Sequence, residues 1–323
     1  MSDHFSIGID IGGTKTLCVL VNHDLEIIGR AKFKTCQAAQ TKHFSAELVA
    51  VIKEFKRTAK KKGANLVGIG IGFAGQVDKL KCLVKTAPNI LWLEDYAIGR
   101  MLEDETGLKS VIGNDVHLGL YGEHQVGVAK GHTNVLGVFF GTGVGGAAII
   151  NGKLYEGSSG FGGQIGCILA QPVGGPEAAQ SHGIVDRIAS KASIAAEALQ
   201  MAVKNWAPYL HKRVGTDLAK VGWGILKKAI ENGDERVEQM LRARMQVVGI
   251  ALSNIVNFMN PDLLVLGGGL VDEMPKLVVS EIDQSLRKHL VPEVDKALKV
   301  KPAKLGGEAV AIGAARLALV ELG

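Results

Sequence analysis

The chain has 323 residues, of which 47% are hydrophobic and 21% are charged, a composition that excludes a disordered or fibrous protein and predicts about two domains around large cores. The formal charge of +5 is mild and aromatic residues make up only 5%, so we expect no nucleic-acid partner. No apolar run approaches the length of a membrane span and the four cysteines are scattered, so we expect a cytoplasmic protein without a membrane partner.

The first predicted elements are two β-rich runs joined by glycines. Residues 5–22, FSIGIDIGGTKTLCVLVN, predict a hairpin that turns at Gly12 and Gly13. The same shape returns at residues 133–152, where two apolar strands flank a glycine-rich turn and end at Asn151 and Gly152. One supersecondary unit therefore occurs twice in the chain.

Helices and strands alternate between the two hairpins. Helices are predicted at residues 45–62 and 98–106, and strands at residues 66–75 and near Val111. The second half is more helical, with helices predicted at 183–202, 214–232, 234–259 and 308–322 and a buried strand at 262–269. This alternation predicts an α/β fold in which two domains close on a cleft.

The first glycine turn carries residues suited to phosphate. Asp10 lies at a strand end, two residues before a turn whose backbone N–H groups can approach phosphate oxygens, and its carboxylate would hold Mg²⁺ through water. Lys15 follows Thr14 rather than a glycine, so this is not a Walker A loop. An ordinary glycine hairpin, in which Asp10 accepts bonds from the turn, remains an alternative.

The later glycines allow two interpretations. Residues 141–146 fit the dinucleotide pattern G-x-G-x-x-G, but a strand follows them instead of the required helix, which disfavours a nicotinamide enzyme. Two glycine hairpins could instead grip one triphosphate from opposite sides. The triplet at residues 267–269 could let adenine lie against backbone or could simply turn a strand into a helix. The residues assigned to ATP and its phosphates are Asp10, Gly12, Gly13, Thr14, Lys15, Gly141, Thr142, Gly143, Gly268 and Gly269.

Asn114 and Asp115 stand between a short strand and a probable helix. One interpretation is a helix N-cap, which favours Asn and Asp. The other gives Asp115 the role of the base that orients a hydroxyl and accepts its proton during phosphoryl transfer. Both roles can coexist.

Six ordered motifs give the chain a family resemblance over nearly its whole length. The chain resembles the ROK family of bacterial sugar kinases, a branch of the actin-like, ribonuclease-H-fold phosphotransferases. The motifs are DIGGTK from Asp10, GIGFAGQVD at residues 70–78, APN at residues 87–89, GND at residues 113–115, GTGVGG from Gly141 and NPDLLVLGGG at residues 260–269.

The resemblance implies a two-lobed fold, ATP and Mg²⁺ as cofactors, and phosphorylation of a sugar hydroxyl, in particular the 6-hydroxyl of a hexose such as glucose. It implies an N-terminal lobe of residues 1–115, on which the final helix packs back, and a larger C-terminal lobe of residues 116–307. It also implies Asp115 as the base, sugar contacts from Gly75, Asn89, Asn114 and Asp115, and a homodimer.

The sugar and zinc region departs from the family pattern. Gln164 and Cys167 stand where the family has a sugar-binding Glu and a His that binds zinc and sugar, and Asp186 aligns with a family Glu. The cysteine run that follows in the family aligns with EAAQSHGI at residues 177–184, so we expect no zinc site. We assign Gln164 and Asp186 to the sugar. The alternatives are a non-catalytic sugar sensor of the same fold, a kinase for an N-acetylhexosamine, and an actin-like ATPase or acyl-phosphate kinase.

Overall fold

The computed structural model describes residues 3–35, 41–87, 90–171 and 183–323. The chain divides into two compact units, the first formed by Met1–Lys130 with Gly307–Gly323 and the second by Gly131–Gly306. Across the described ranges, no helix combines the length and apolar character that a bilayer crossing requires.

A five-stranded sheet forms the centre of the first unit, in the order β3-β2-β1-β4-β7. The first three strands, β1 (His4–Ile11), β2 (Lys15–Val21) and β3 (Ile27–Lys34), form an antiparallel meander. Strands β4 (Asn65–Phe73) and β7 (Ser110–Asn114) extend the sheet in parallel to β1. A separate two-stranded ribbon follows β4 and consists of β5 (Gln76–Asp78) and β6 (Leu83–Thr86).

The second unit repeats this topology. Its sheet has the order β10-β9-β8-β11-β12, with β8 (Val135–Phe140), β9 (Val144–Ile150) and β10 (Lys153–Tyr155) antiparallel. Strands β11 (Leu263–Gly267) and β12 (Lys299–Pro302) run parallel to β8. The predicted α/β fold with a duplicated glycine hairpin is therefore confirmed.

Helices cover these sheets. The first unit contains α1 (Thr41–Lys61), α2 (Ile98–Thr106), α3 (Asp115–Val126) and the final helix α12 (Ala309–Glu321). The second contains α4 (Val185–Ala189), α5 (Lys191–Val203), α6 (Pro208–Val214), α7 (Trp223–Glu231), α8 (Glu235–Met259), α9 (Gly269–Glu273), α10 (Pro275–Arg287) and α11 (Pro292–Ala297).

Two predicted helix boundaries in the second unit were wrong. The helix expected at residues 183–202 is divided into α4 and α5 at Ser190, which has extended dihedrals and caps α5 by accepting a bond from Ser193 N. The helix expected at 214–232 does not begin at Val214, because α6 ends there and Gly215 takes a non-helical conformation with φ 58° and ψ −118°. A short 3₁₀ helix follows at Leu218–Lys220, and α-helical structure resumes only at α7.

Glycines let the final helix α12 approach the first sheet closely. A Cβ atom on Gly8 of β1 would lie 1.8 Å from the carbonyl oxygen of Ala311, and one on Gly70 of β4 would lie 1.8 Å from that of Ala314. Helix α3 packs against the other side of α12, where a Cβ on Gly122 would lie 2.3 Å from the oxygen of Ala309. This packing joins α3 to the first unit, which extends to Lys130.

Candidate active site

The first glycine turn connects β1 to β2. Its ends are joined by a bond from Gly12 N to Lys15 O at 3.1 Å. Thr35, directly after β3, donates its hydroxyl to Gly12 O at 2.7 Å, which fixes the turn from the neighbouring strand. Gly13 and Thr14 are exposed at the tip. The turn is thus rigidly held and leaves its tip open to a ligand.

Helix α3 begins where β7 ends, and Asn114 caps it. The Asn114 Oδ1 atom accepts bonds from Val116 N at 3.0 Å and His117 N at 3.2 Å. Its Nδ2 atom donates to Gly75 O at 3.3 Å, which ties the loop after β4 to the start of the helix. The N-cap interpretation is therefore confirmed, and three hydrogen bonds to backbone atoms fix this side chain.

Asp115 is the first residue of α3 and is partly buried. Its Oδ1 atom accepts a bond from Val116 N at 2.9 Å. Gly75, Asn114 and Asp115, three of the predicted sugar contacts, are thus brought together by β4, β7 and the N-terminus of α3. The fourth, Asn89, lies outside the described residues.

Two carboxylates in this unit have altered proton affinities. Burial raises the pKa of Asp115 from 3.8 to about 6, against the lowering effect of hydrogen bonds from backbone and Asn114. Burial and then the negative charge of Asp115 raise the pKa of Asp10 from 3.8 to about 7, and Lys15 lowers it. A nearby cation would stabilise the charged form of a buried carboxylate whose ionisation a second carboxylate also opposes. Asp10 therefore fits the predicted contact to Mg²⁺.

The second glycine turn, residues 141–143, connects β8 to β9. Gly141 N donates to Gly143 O at 2.8 Å, and Thr142 and Gly143 are exposed. Gly141 O accepts a bond from Lys191 N at the start of α5. Sequence reasoning had no means of finding this support, because no motif links the turn to a helix so far along the chain.

Gly268 and Gly269 connect β11 to α9. Gly268 has φ 86°, and a Cβ there would lie 2.5 Å from Phe140 O. Gly269 is the first residue of α9, so the triplet does turn a strand into a helix. Its predicted contact to adenine stays a prediction.

The altered sugar segment lies in the second unit. Gln164 is exposed and precedes a short 3₁₀ helix, Ile165–Cys167, which is anchored by the buried Ile165. Cys167 is exposed and reduced. Within residues 3–35, 41–87, 90–171 and 183–323, no three His, Cys, Asp or Glu side chains cluster as metal ligands. Glu177 and His182 lie outside those ranges.

Asp186, the other predicted sugar contact, lies in α4 beside the second glycine turn. Its Oδ1 atom accepts a bond from Val144 N at 2.7 Å. Sequence reasoning missed this partner, because the two residues are 42 positions apart.

Comparison with known proteins identifies the family. Residues 6–321 match the model of the ROK family. The chain is 32% identical to a glucokinase of Streptomyces coelicolor, with 97% of each chain covered. It is 27% identical to the xylose repressor of Bacillus spizizenii over 96% of this chain and 75% of the repressor.

A solved structure of the same family also resembles this chain. The structure of a ROK family glucokinase from Streptomyces griseus, in complex with glucose and AMPPNP, superimposes with a TM-score of 0.80 at 29% identity, covering 98% of this chain and 99% of that one. The chain therefore belongs to the ROK family, as its six motifs predicted.

Proposed function

We propose that this protein is an ATP-dependent sugar kinase that phosphorylates the 6-hydroxyl of a hexose such as glucose, with Asp115 as the general base. The observation that carries the proposal is the carboxylate of Asp115, held at the first position of α3 by its bond to Val116 N and raised in pKa to about 6. A base with a pKa near the working pH is ionised and yet has useful proton affinity.

The proposed reaction is an in-line displacement at phosphorus. The sugar hydroxyl oxygen attacks the γ-phosphorus of ATP, the bond from that phosphorus to the bridging oxygen breaks, and ADP leaves. The hydroxyl proton passes to the Asp115 carboxylate. Asn114 positions this carboxylate by capping α3 and by holding the loop at Gly75. Positioning of this kind supplies much of the catalysis in phosphoryl transfer.

The two glycine turns are assigned to phosphate binding. The first offers Gly12, Gly13, Thr14 and Lys15 next to Asp10, and the second offers Gly141, Thr142 and Gly143. Asp10 would hold Mg²⁺ through water, and the ion would supply charge neutralisation at the phosphates when bound. Its raised pKa supports this assignment, because a buried carboxylate that resists ionisation gains most from a nearby cation.

Glucose is the first candidate substrate, because relatives over almost the whole chain are named glucokinases. Gln164 keeps hydrogen-bonding capacity for a hydroxyl but lacks charge, and a charged hydrogen bond is stronger than a neutral one by roughly 1 kcal/mol. The sugar preference is therefore expected to differ from that of relatives with Glu at this position, and an N-acetylhexosamine is the alternative substrate.

A sugar sensor without catalysis is the second candidate function. The observation that favours it is the match to the xylose repressor. Asp115 argues against this candidate, because a sensor needs the sugar contacts but needs no base with a raised pKa beside the phosphate turn.

A panel of hexoses and N-acetylhexosamines, tested for ADP release with ATP and Mg²⁺, separates these candidates. A kinase releases ADP only with its own sugar, and the Asp115→Asn variant serves as the background control. Calorimetric binding of a sugar by the wild-type protein, with no ADP release from any sugar of the panel, would refute the kinase and support the sensor.

A further inference from the structure

A hydrogen bond connects α4 to the end of the second glycine turn. Asp186 Oδ1 accepts from Val144 N at 2.7 Å, and Val144 is the first residue of β9, directly after the turn. The peptide plane between Gly143 and Val144 is therefore oriented by this carboxylate. A bond from backbone N–H to an ionised acceptor is shorter and stronger than one between neutral groups.

The neighbouring glycines are required by this arrangement. A Cβ on Gly143 would lie 2.7 Å from Asp186 Oδ1, and a Cβ on Gly166 would lie 2.2 Å from Val144 O and 3.4 Å from Asp186 Cβ. The carboxylate thus reaches the turn through space that any larger residue at either position would fill. At the other end of the turn, Gly141 O accepts from Lys191 N at 3.3 Å. Both ends of the turn are attached to the segment that forms α4 and the start of α5.

We infer that Asp186 is a positioning residue for the second glycine turn and controls the binding of ATP phosphates, instead of contacting the sugar as the family likeness implies. The inference rests on the proposed function, because it takes the turn to be a phosphate site. Asp186 sets the direction of the peptide groups in the turn, and Gly143 leaves the space that the carboxylate needs. The negative charge of Asp186 would not by itself favour phosphate binding nearby. The bond from Val144 N therefore explains why this position carries a carboxylate.

This role separates two substitutions of Asp186. In Asp186→Asn, the amide oxygen can still accept from Val144 N, and the charge is lost. In Asp186→Ala, Val144 N loses its partner and the turn loses its orientation. We expect the affinity for a non-hydrolysable ATP analogue to fall about tenfold or more in the Ala variant, since about 1.4 kcal/mol corresponds to a factor of ten, and to stay within about threefold of wild type, or to rise, in the Asn variant.

Titration calorimetry with the ATP analogue and with glucose, together with amide hydrogen exchange, tests the inference. Exchange in a peptide covering residues 141–146 should accelerate in Asp186→Ala and stay at the wild-type rate in Asp186→Asn. Asp217→Ala is the matched control, because Asp217 also accepts a backbone bond, from Ala219 N at 3.0 Å, but on the segment between α6 and α7. Glucose affinity should be the same in all four proteins.

The outcomes distinguish the inference from the function on which it rests. Weaker glucose binding in both Asp186 variants, with unchanged binding of the ATP analogue, would assign Asp186 to the sugar and overturn the inference. Unchanged exchange in Asp186→Ala would overturn it as well, whatever the protein catalyses. A third outcome is that exchange accelerates in Asp186→Ala but the wild-type protein binds no ATP analogue. This result would refute the proposed function and the phosphate role of the turn, and would still show that the bond from Val144 N to Asp186 holds the turn in place.

Discussion

Replacing Asp115 with Asn removes the proposed base and preserves the surrounding geometry. The Asn oxygen can accept the bond from Val116 N that Asp115 Oδ1 accepts at 2.9 Å, and Asn114 still caps α3. Turnover should fall roughly 10²–10⁴-fold, the usual contribution of a positioned base. The affinities for sugar and nucleotide should remain close to those of the wild type, because the substitution removes only proton acceptance.

The same substitution should stabilise the protein near pH 8. The pKa of Asp115 is 3.8 ordinarily and about 6 in the folded chain. Between about pH 4 and pH 6, therefore, the folded state keeps a proton that the unfolded state has already released. Stability therefore falls as the pH rises through this window, and the cost of the buried charge persists above it. At about 1.4 kcal/mol per pH unit this cost is up to about 3 kcal/mol, so Asn should raise the melting temperature by a few degrees.

A coupled ADP-release assay and differential scanning calorimetry measure the two effects on one preparation. Asp217→Asn is the control, because it alters a carboxylate that also accepts one backbone bond but belongs to the second unit. If Asp115→Asn keeps more than about a tenth of wild-type kcat, a loss of only ~1.4 kcal/mol in transition-state stabilisation, Asp115 is not the base. If Asp115→Asn melts below the wild type at pH 8, the buried charge is not a cost to the fold.

The remaining predictions concern pH, packing and metal. The value of kcat/KM should rise with pH through an apparent pKa between about 6 and 7 that belongs to the pair of Asp10 and Asp115; a profile that is flat down to pH 4.5 would contradict this. Gly70→Ala should destabilise the first unit by about 2 kcal/mol or more in urea unfolding, since its Cβ would lie 1.8 Å from a backbone oxygen of α12. Gly222→Ala, which meets open space, is the control, and equal stabilities would refute the packing argument. Elemental analysis should find no stoichiometric zinc, because the segment around Cys167 lacks four suitable ligands; one zinc per chain, with activity lost on chelation and not restored by Mg²⁺, would refute it.

The sequence by itself determined the local features of this protein. Alternating apolar residues and glycines predicted both hairpins, and the Asn114 cap at the start of α3 was one of two interpretations of a dipeptide. Hairpin turns and helix caps depend on residues that are close together in the chain, so residue type and spacing are enough to predict them. Six ordered motifs also sufficed for the family. The division of a predicted helix at Ser190 was missed, because its apolar pattern continues across the break.

The tertiary structure alone decided what depends on residues far apart in the chain. The raised pKa of Asp10 requires the burial of its strand and the approach of Asp115, and no sequence pattern encodes either. The close contact of Gly70 with α12 gives a packing reason for a glycine that, in sequence, was only the first residue of a family motif. The partner of Asp186 is a backbone N–H, and every residue except proline carries one, so only folding could select Val144.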